Sequence, residues 1–232
     1  MSSSYETRRL ELTRYFDRTA ADAWARLTSD APVSRIRETV RAGRAQMRAQ
    51  LLSWLPEDLS GRTLYDAGCG PGAFAIEAAA RGARVVAVDV SPTFIELAGQ
   101  RVPPELAGRI EFGVGDMLTA VSGPFDYVVA MDSLIHYAAD DKLNAIAALA
   151  GLARHGLLMT FAPRTPALAA MHAVGRLFPR GKHRAPAIEP IAEKQLREGI
   201  AASEALSTWQ TGRTGRVSVG FYVSQGLELC PR

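Results

Sequence analysis

Three acidic side chains fall at intervals that suit a cofactor carrying a nucleoside. The first lies in Leu64-Tyr65-Asp66-Ala67-Gly68-Cys69-Gly70-Pro71-Gly72-Ala73, a strand running into a glycine turn that opens a helix. Glycines there let the backbone approach a ligand closely and set the N–H groups of a helix start beside it. Gly68, Gly70 and Ala73 satisfy the dinucleotide spacing G-x-G-x-x-G/A, and Asp89, 21 residues after Gly68, supplies the acid that takes ribose hydroxyls. This spacing alone leaves the cofactor open. Asp66 argues against a pyrophosphate, because a carboxylate at the strand's end suits an ammonium instead. Gly115-Asp116-Met117 adds an acceptor for an adenine amino group and a thioether to pack on the ring. No lysine follows Tyr137 by four residues, as a short-chain dehydrogenase would require. Together these features select S-adenosylmethionine (SAM) over NAD or FAD. Taken singly, Asp89 also reads as part of the helix N-cap region before Ser91-Pro92, and Asp116 as a turn residue.

A second group of residues could act on a substrate. His136 lies in the turn Leu134-Ile135-His136-Tyr137 after the fourth strand, at the carboxyl ends where ligands bind in open α/β sheets, so it is placed to face a transferring methyl. Its reading is catalytic or substrate-orienting, with a structural hydrogen bond as the alternative. The stretch 176–184 carries Arg176, Arg180, Lys182, His183 and Arg184 with no acid, and offers a carboxylate anchor or simply a solvated basic face. Cys69 and Cys230 are too few for a disulfide framework or a metal cluster, and imply a reducing compartment and no protein-bound metal.

The positioning elements follow from periodicity. Residues 4–55 read as an amphipathic helical arm, broken at Ala31-Pro32, with Leu10, Tyr15, Phe16, Trp24, Ile36, Val40, Met47 and Leu51 at helical spacings. The arginines between them, among them Arg41 and Arg44, read as a solvated face, with an anion site as the alternative. From residue 62 strands alternate with helices: Thr63–Asp66, Arg84–Asp89, Ile110–Gly113, Tyr127–Met131 and Leu157–Phe161, separated by helices near 73–81, 92–101 and 140–153. That alternation predicts a parallel, doubly wound sheet. After Ala162 the prolines at 163, 166, 179, 186 and 190 interrupt the pattern, and Leu206–Thr211 and Ser218–Ser224 read as a closing antiparallel pair. The span 163–190 reads as a lid or substrate-binding insertion.

Composition fits an ordinary globular chain: 232 residues, 47% apolar and 22% charged. Its 27 basic and 24 acidic side chains are dispersed, which argues against a nucleic-acid partner. The start MSSSYETRRL lacks an apolar core, and no apolar run approaches the ~20 residues of a membrane span. A cytoplasmic location is expected, with contact at a membrane surface left open.

Residues 62–162 resemble class I SAM-dependent methyltransferases, through DAGCGPG at 66–72, Val88-Asp89-Val90-Ser91, Gly115-Asp116 and Phe125-Asp126-Tyr127-Val128-Val129 in that order. The resemblance implies an α/β fold with a Rossmann-like, doubly wound, seven-stranded sheet. It implies a cofactor site of Asp66, Gly68, Gly70, Gly72, Asp89, Val90, Asp116, Met117 and Met131. Flanking motifs are more specific. Arg14-Tyr15-Phe16-Asp17, Trp24, Ile36-Arg37-x-x-Val40-Arg41-x-Gly43-Arg44, Ser133-Leu134-Ile135-His136-Tyr137 and Thr160-Phe161-Ala162-Pro163-Arg164-Thr165 resemble the magnesium-protoporphyrin IX O-methyltransferases of bacteriochlorophyll and chlorophyll synthesis. That resemblance implies methylation of a porphyrin propionate, with substrate contacts at Tyr15, Phe16, Trp24, Tyr137, Arg164 and Arg180. It divides the chain into a cap, 1–58, and a methyltransferase core, 59–232, and implies handover of the porphyrin from magnesium chelatase and peripheral contact with the photosynthetic membrane. Thr28 stands where relatives that make oxygen often carry a tyrosine, so no acid/base task of that tyrosine transfers here. Pro71 replaces the more usual threonine of the turn. Two other readings stay open: a methyltransferase of another apolar acid or phenol, and a SAM-binding module without turnover.

Overall fold

The computed structural model describes residues 2–27, 35–164 and 187–232, with the backbone alone at 18–27 and 35–37. Two helices come first, α1 (Ser3–Leu27) and α2 (Arg35–Leu52). Then β1 (Thr63–Ala67), α3 (Ala73–Ala80), β2 (Arg84–Asp89), α4 (Pro92–Gln100), β3 (Ile110–Val114), β4 (Phe125–Ala130), α5 (Ala139–Ala150) and β5 (Ala153–Phe161) alternate. The chain closes with α6 (Glu193–Ala202), β6 (Trp209–Val219) and β7 (Tyr222–Pro231). The seven strands lie in the order β3-β2-β1-β4-β5-β7-β6. The first five are parallel, and β7 runs antiparallel to both β5 and β6. The chain leaves the β3 edge and re-enters beside β1 as β4, so a crevice opens above the carboxyl ends of β1 and β4.

Both faces of the central strands are covered, which explains their almost unbroken apolar runs. Leu64, Val129 and Leu158 point to the face covered by α2 and α3. Tyr65, Val128, Leu157 and Met159 point to the face covered by α5 and α6, which Tyr5 and Leu12 of α1 also join. Met47 and Leu51, one helical turn apart on α2, are wholly buried. At about 1.5–3 kcal/mol for each such side chain, α2 is part of the core and not a detachable arm. Among the described residues no helix is long and apolar enough to cross a membrane.

The predicted α/β architecture is present, and the βα boundaries from 63 to 161 agree to within a few residues. Three differences stand at the C-terminal side. α6, whose Leu196 and Ile200 are buried, was concealed behind the proline-rich span. The predicted helix 140–153 stops at Ala150, because Ala153 already pairs with Phe125 in the sheet. The closing pair is a hairpin in which Val219 faces Tyr222. Its turn, Gly220-Phe221, falls inside the strand predicted at 218–224, because Gly220 adopts φ 55° and reverses the chain there. Most of the predicted lid, 165–186, lies outside the described residues.

Candidate functional site

The glycine turn is built on left-handed backbone: φ is 80° at Gly68, 52° at Gly70 and 76° at Gly72. At Gly68 a Cβ would also lie 2.5 Å from that of Ser133, so the turn and the loop after β4 meet there only without a side chain. The N–H groups of Gly68 and Cys69 donate to the Val88 carbonyl at 2.8 and 3.0 Å, tying the turn to β2. The carboxylate of Asp89 completes the tie: it accepts from the N–H of Gly70 at 2.8 Å and from that of Ser91 at 2.9 Å. Burial pushes the Asp89 carboxyl upward, and these two backbone bonds pull it back. Beneath the turn Asp66 is buried, and its Oδ2 has no partner among the described residues. Burial, reinforced by the nearby Asp89 charge, raises its carboxyl to about 7.

Above the turn lies a cavity enclosing about 690 Å³, walled by Gly68, Gly70, Asp89, Val90, Asp116 and Met117 among others. Helix α1 roofs it. The hydroxyl of Tyr5 donates to Asp116 at 2.7 Å, the N–H of Leu118 donates to the same oxygen at 3.0 Å, and Arg9 pairs with the other at 3.5 Å. Tyr5 stacks on Tyr137 with ring centroids 4.7 Å apart. Ser133 also lines this cavity, and its Oγ is closed off from solvent with no partner among the described residues. The Asp89 and Asp116 carboxylates, the orphaned Ser133 oxygen, the open turn and the Asp66 carboxyl buried behind it suit a cofactor with ribose, adenine and ammonium groups, and SAM has all three.

A second cavity, of about 920 Å³, adjoins the first and is mostly apolar, with Val40, Ile135, Ile188, Phe221 and Tyr222 on its walls. Four residues belong to both: Phe16, Arg44, Asp132 and His136. The Nδ1–H of His136 faces the Ala187 carbonyl at 3.2 Å; a carbonyl can only accept, so Nδ1 donates and Nε2 is left as the acceptor. Burial lowers the pKa of this ring below the ordinary histidine value, which keeps it neutral at pH 7. Asp132, at φ 56°, receives hydroxyl bonds from Thr160, Tyr222 and Ser224 and an ion pair from Arg44.

The family model described as "Magnesium-protoporphyrin IX methyltransferase C-terminus" matches residues 130–231, and "Methyltransferase domain" matches 64–156. The magnesium-protoporphyrin O-methyltransferase of Rhodobacter capsulatus is 47% identical over all 232 residues, covering 100% of both chains. This chain belongs to the magnesium-protoporphyrin IX methyltransferase family. The magnesium protoporphyrin IX methyltransferase of Synechocystis PCC 6803, solved with bound SAH, matches with a TM-score of 0.82 at 31% identity, over 96% of this chain and 99% of that one. A second structure of it holds SAM, with a TM-score of 0.78 at 28% identity over 97% of both chains.

In this family member most of the predicted cofactor residues converge: Gly68, Gly70, Asp89, Val90, Asp116, Met117 and Met131 wall the first cavity. Gly72 and Asp66 do not. Gly72 caps α3, packed against Ala98, and Asp66 supports the turn from behind. Asp89 and Asp116 also make the N-cap-region and turn bonds that were their alternative readings, so each holds the loop that it lines. Of the predicted substrate residues, Phe16 reaches the second cavity. Tyr137 faces the first, on Tyr5, because the turn at Leu134–His136 sends consecutive side chains to different cavities. Tyr15 packs edge-on against Phe16, and Arg164 is exposed, with its backbone N–H bonded to Ile191. The Trp24 side chain and Arg180 lie outside the described residues. The sequence does not single out Asp132, and for Arg44 it favours the solvated face over the anion site. The available signals were the motif Arg41-x-Gly43-Arg44 and an acid immediately after the fourth strand.

Proposed function

We propose that this chain transfers the methyl group of SAM to a propionate carboxylate of magnesium-protoporphyrin IX, forming the monomethyl ester. The observation that carries this reading is the pair of adjoining cavities, one lined by the glycine turn with the Asp89 and Asp116 carboxylates and suited to SAM, the other lined mainly by apolar side chains and suited to an apolar macrocycle, meeting at Phe16, Arg44, Asp132 and His136. When bound, SAM supplies a sulfonium methyl: the carboxylate oxygen forms the new O–CH₃ bond, and the electron pair of the S–CH₃ bond stays on the sulfur of S-adenosylhomocysteine. A carboxyl group is ordinarily an anion at neutral pH, so the residues need chiefly to align it, and orientation can be worth about 7–11 kcal/mol. Phe16 and the aliphatic wall exclude water and stack the ring. The sequence reading made His136 catalytic or substrate-orienting. With Nδ1 committed to Ala187 and the ring neutral, His136 accepts at Nε2, taking the proton of any carboxyl that the apolar cavity keeps protonated.

Two finer expectations rest on family membership, handover from magnesium chelatase and peripheral contact with the photosynthetic membrane, and a cytoplasmic location is expected from the sequence features. Ile188 and Phe221, exposed by 43% and 56% on the wall of the apolar cavity, support an exchange surface there. Incubation with labelled SAM and a panel of magnesium-protoporphyrin, metal-free protoporphyrin and simple aromatic acids tests the reading. Ester formation on the magnesium porphyrin is the expected result; methylation of the simple acids alone, or binding of SAM with no turnover, would refute it.

A further inference from the structure

We infer that Arg44 binds the substrate carboxylate that receives the methyl, and that Asp132 positions Arg44 for this task. The inference rests on the proposed reaction and assigns a residue to its central contact. Among the described residues that wall either cavity, Arg44 is the one arginine or lysine, and it walls both. Its Nε lies 3.2 Å from Oδ2 of Asp132. A guanidinium has five N–H donors in a planar fork, so one edge is engaged by Asp132 while the terminal nitrogens make no protein bond among the described residues. A half-exposed cation with unused paired donors, facing an apolar chamber, matches a carboxylate as a bidentate partner.

The Asp132 side is built far beyond what a helix fastening needs. Its carboxylate accepts from the hydroxyls of Thr160 at 3.1 Å, Tyr222 at 3.0 Å and Ser224 at 3.3 Å, which come from β5 and β7. Its own N–H donates to Thr160 Oγ1 at 2.7 Å. It holds a left-handed backbone, φ 56°, the one non-glycine case among the described residues, and such strain persists where the surroundings over-determine it, often at functional sites. On the other side α2 comes so close that a Cβ on Gly43 would lie 2.4 Å from the Tyr222 ring, which brings the next residue, Arg44, onto the same hub. The fixed negative partner serves the chemistry as well. It orders the guanidinium in advance and offsets part of its charge, so the bound carboxylate keeps its nucleophilic character. Methylation then removes the charge that Arg44 recognises, which favours departure of the ester.

Porphyrin binding to the full-length protein, followed by the Soret shift, tests this with three ligands: magnesium-protoporphyrin IX, its monomethyl ester and its dimethyl ester. The wild type should bind the diacid about 10- to 100-fold more tightly than the monoester, the range expected for a charge-assisted pair. Arg44→Gln should abolish that preference by weakening diacid binding, with dimethyl ester affinity within about twofold, and Arg44→Lys should restore part of it. Asp132→Asn, which the left-handed backbone accepts, should raise KM for the diacid several-fold, and more than it raises KM for SAM. If Arg44→Gln weakens diacid and diester together, Arg44 is only part of the wall and the inference fails. It fails equally if the variant still discriminates, or, should Arg44→Gln not fold, if Arg44→Lys and Asp132→Asn leave the diacid preference whole. A wild type that binds and methylates none of these porphyrins overturns the functional reading itself, and this inference with it.

Discussion

Replacing Asp66 by Asn should remove a pH dependence that the wild-type fold carries in its core. The Asp66 carboxyl is raised from 3.8 to about 7, first by burial and then by the Asp89 charge, with a bond from the Ala75 N–H opposing them. In the unfolded chain it ionises near pH 4; in the folded protein it holds its proton to about pH 7. Between those values the folded state binds more protons, so this group's contribution to stability is complete below pH 4 and is lost as pH rises to 7. At about 1.4 kcal/mol per pH unit, the loss comes to about 4 kcal/mol. Asn mimics the protonated acid and cannot ionise. Urea midpoints measured from pH 4.5 to 8 should therefore show the wild type losing stability relative to Asp66→Asn, by about 3 kcal/mol across that range, the first part of the loss falling below pH 4.5. Removing the Asp66 charge also spares Asp89 its neighbour, which acts in the same direction. Saturating SAM should narrow the gap at pH 8, since an ammonium at the turn favours the ionised acid. Parallel stability profiles of the two proteins would refute the argument and place Asp66 in a polar setting at odds with its orphaned oxygen.

Asp89→Ala should weaken SAM binding more than about tenfold, or about 1.4 kcal/mol. Because it also frees the Gly70 and Ser91 N–H groups, it should cost about 2–4 kcal/mol of stability; titration calorimetry and a melting curve that both match the wild type would rule out this placement. Asp116→Asn keeps an acceptor and should impair SAM binding less than Asp116→Ala, whereas equal and negligible effects would put the adenine elsewhere. His136→Ala should lower kcat far more than it alters SAM affinity. The wild-type rate should fall on the acid side of pH 6.5, as the neutral ring that accepts protons is lost, and the variant's profile should lack that limb; identical profiles would return His136 to a structural role.

The legible parts of the molecule were those in which neighbours in space are neighbours in sequence. Alternating βα units and the glycine turn carry their geometry locally, in runs of buried strand residues and in backbone that only glycine adopts with ease. Asp89 and Asp116 were found because each closes a strand-to-loop step. Arg44 and Asp132 were not, since the hub joins α2 to residues 90 and 92 positions beyond Asp132. A charged residue on an amphipathic helix has no local mark that separates a solvated face from a buried partner. Helix α6 was obscured for another reason: prolines up to Pro190 set the expectation of loop, and only Leu196 and Ile200 record the helical face.

The bridge between Pro163 and Ile191 has a consequence for how this family can vary. The Ile191 N–H donates to the Ala162 carbonyl and the Arg164 N–H to the Ile191 carbonyl, so the chain leaves and rejoins the body at one spot. Glu189 and Ala187, just before the rejoining point, are fastened separately: the Glu189 N–H to the Ile135 carbonyl, the Glu189 carbonyl to Lys142 Nζ, and the Ala187 carbonyl to His136. The registration of the imidazole is thus fixed by bonds outside the intervening stretch. Changes of sequence between residues 164 and 187 therefore need not move His136, whose anchors all lie outside them.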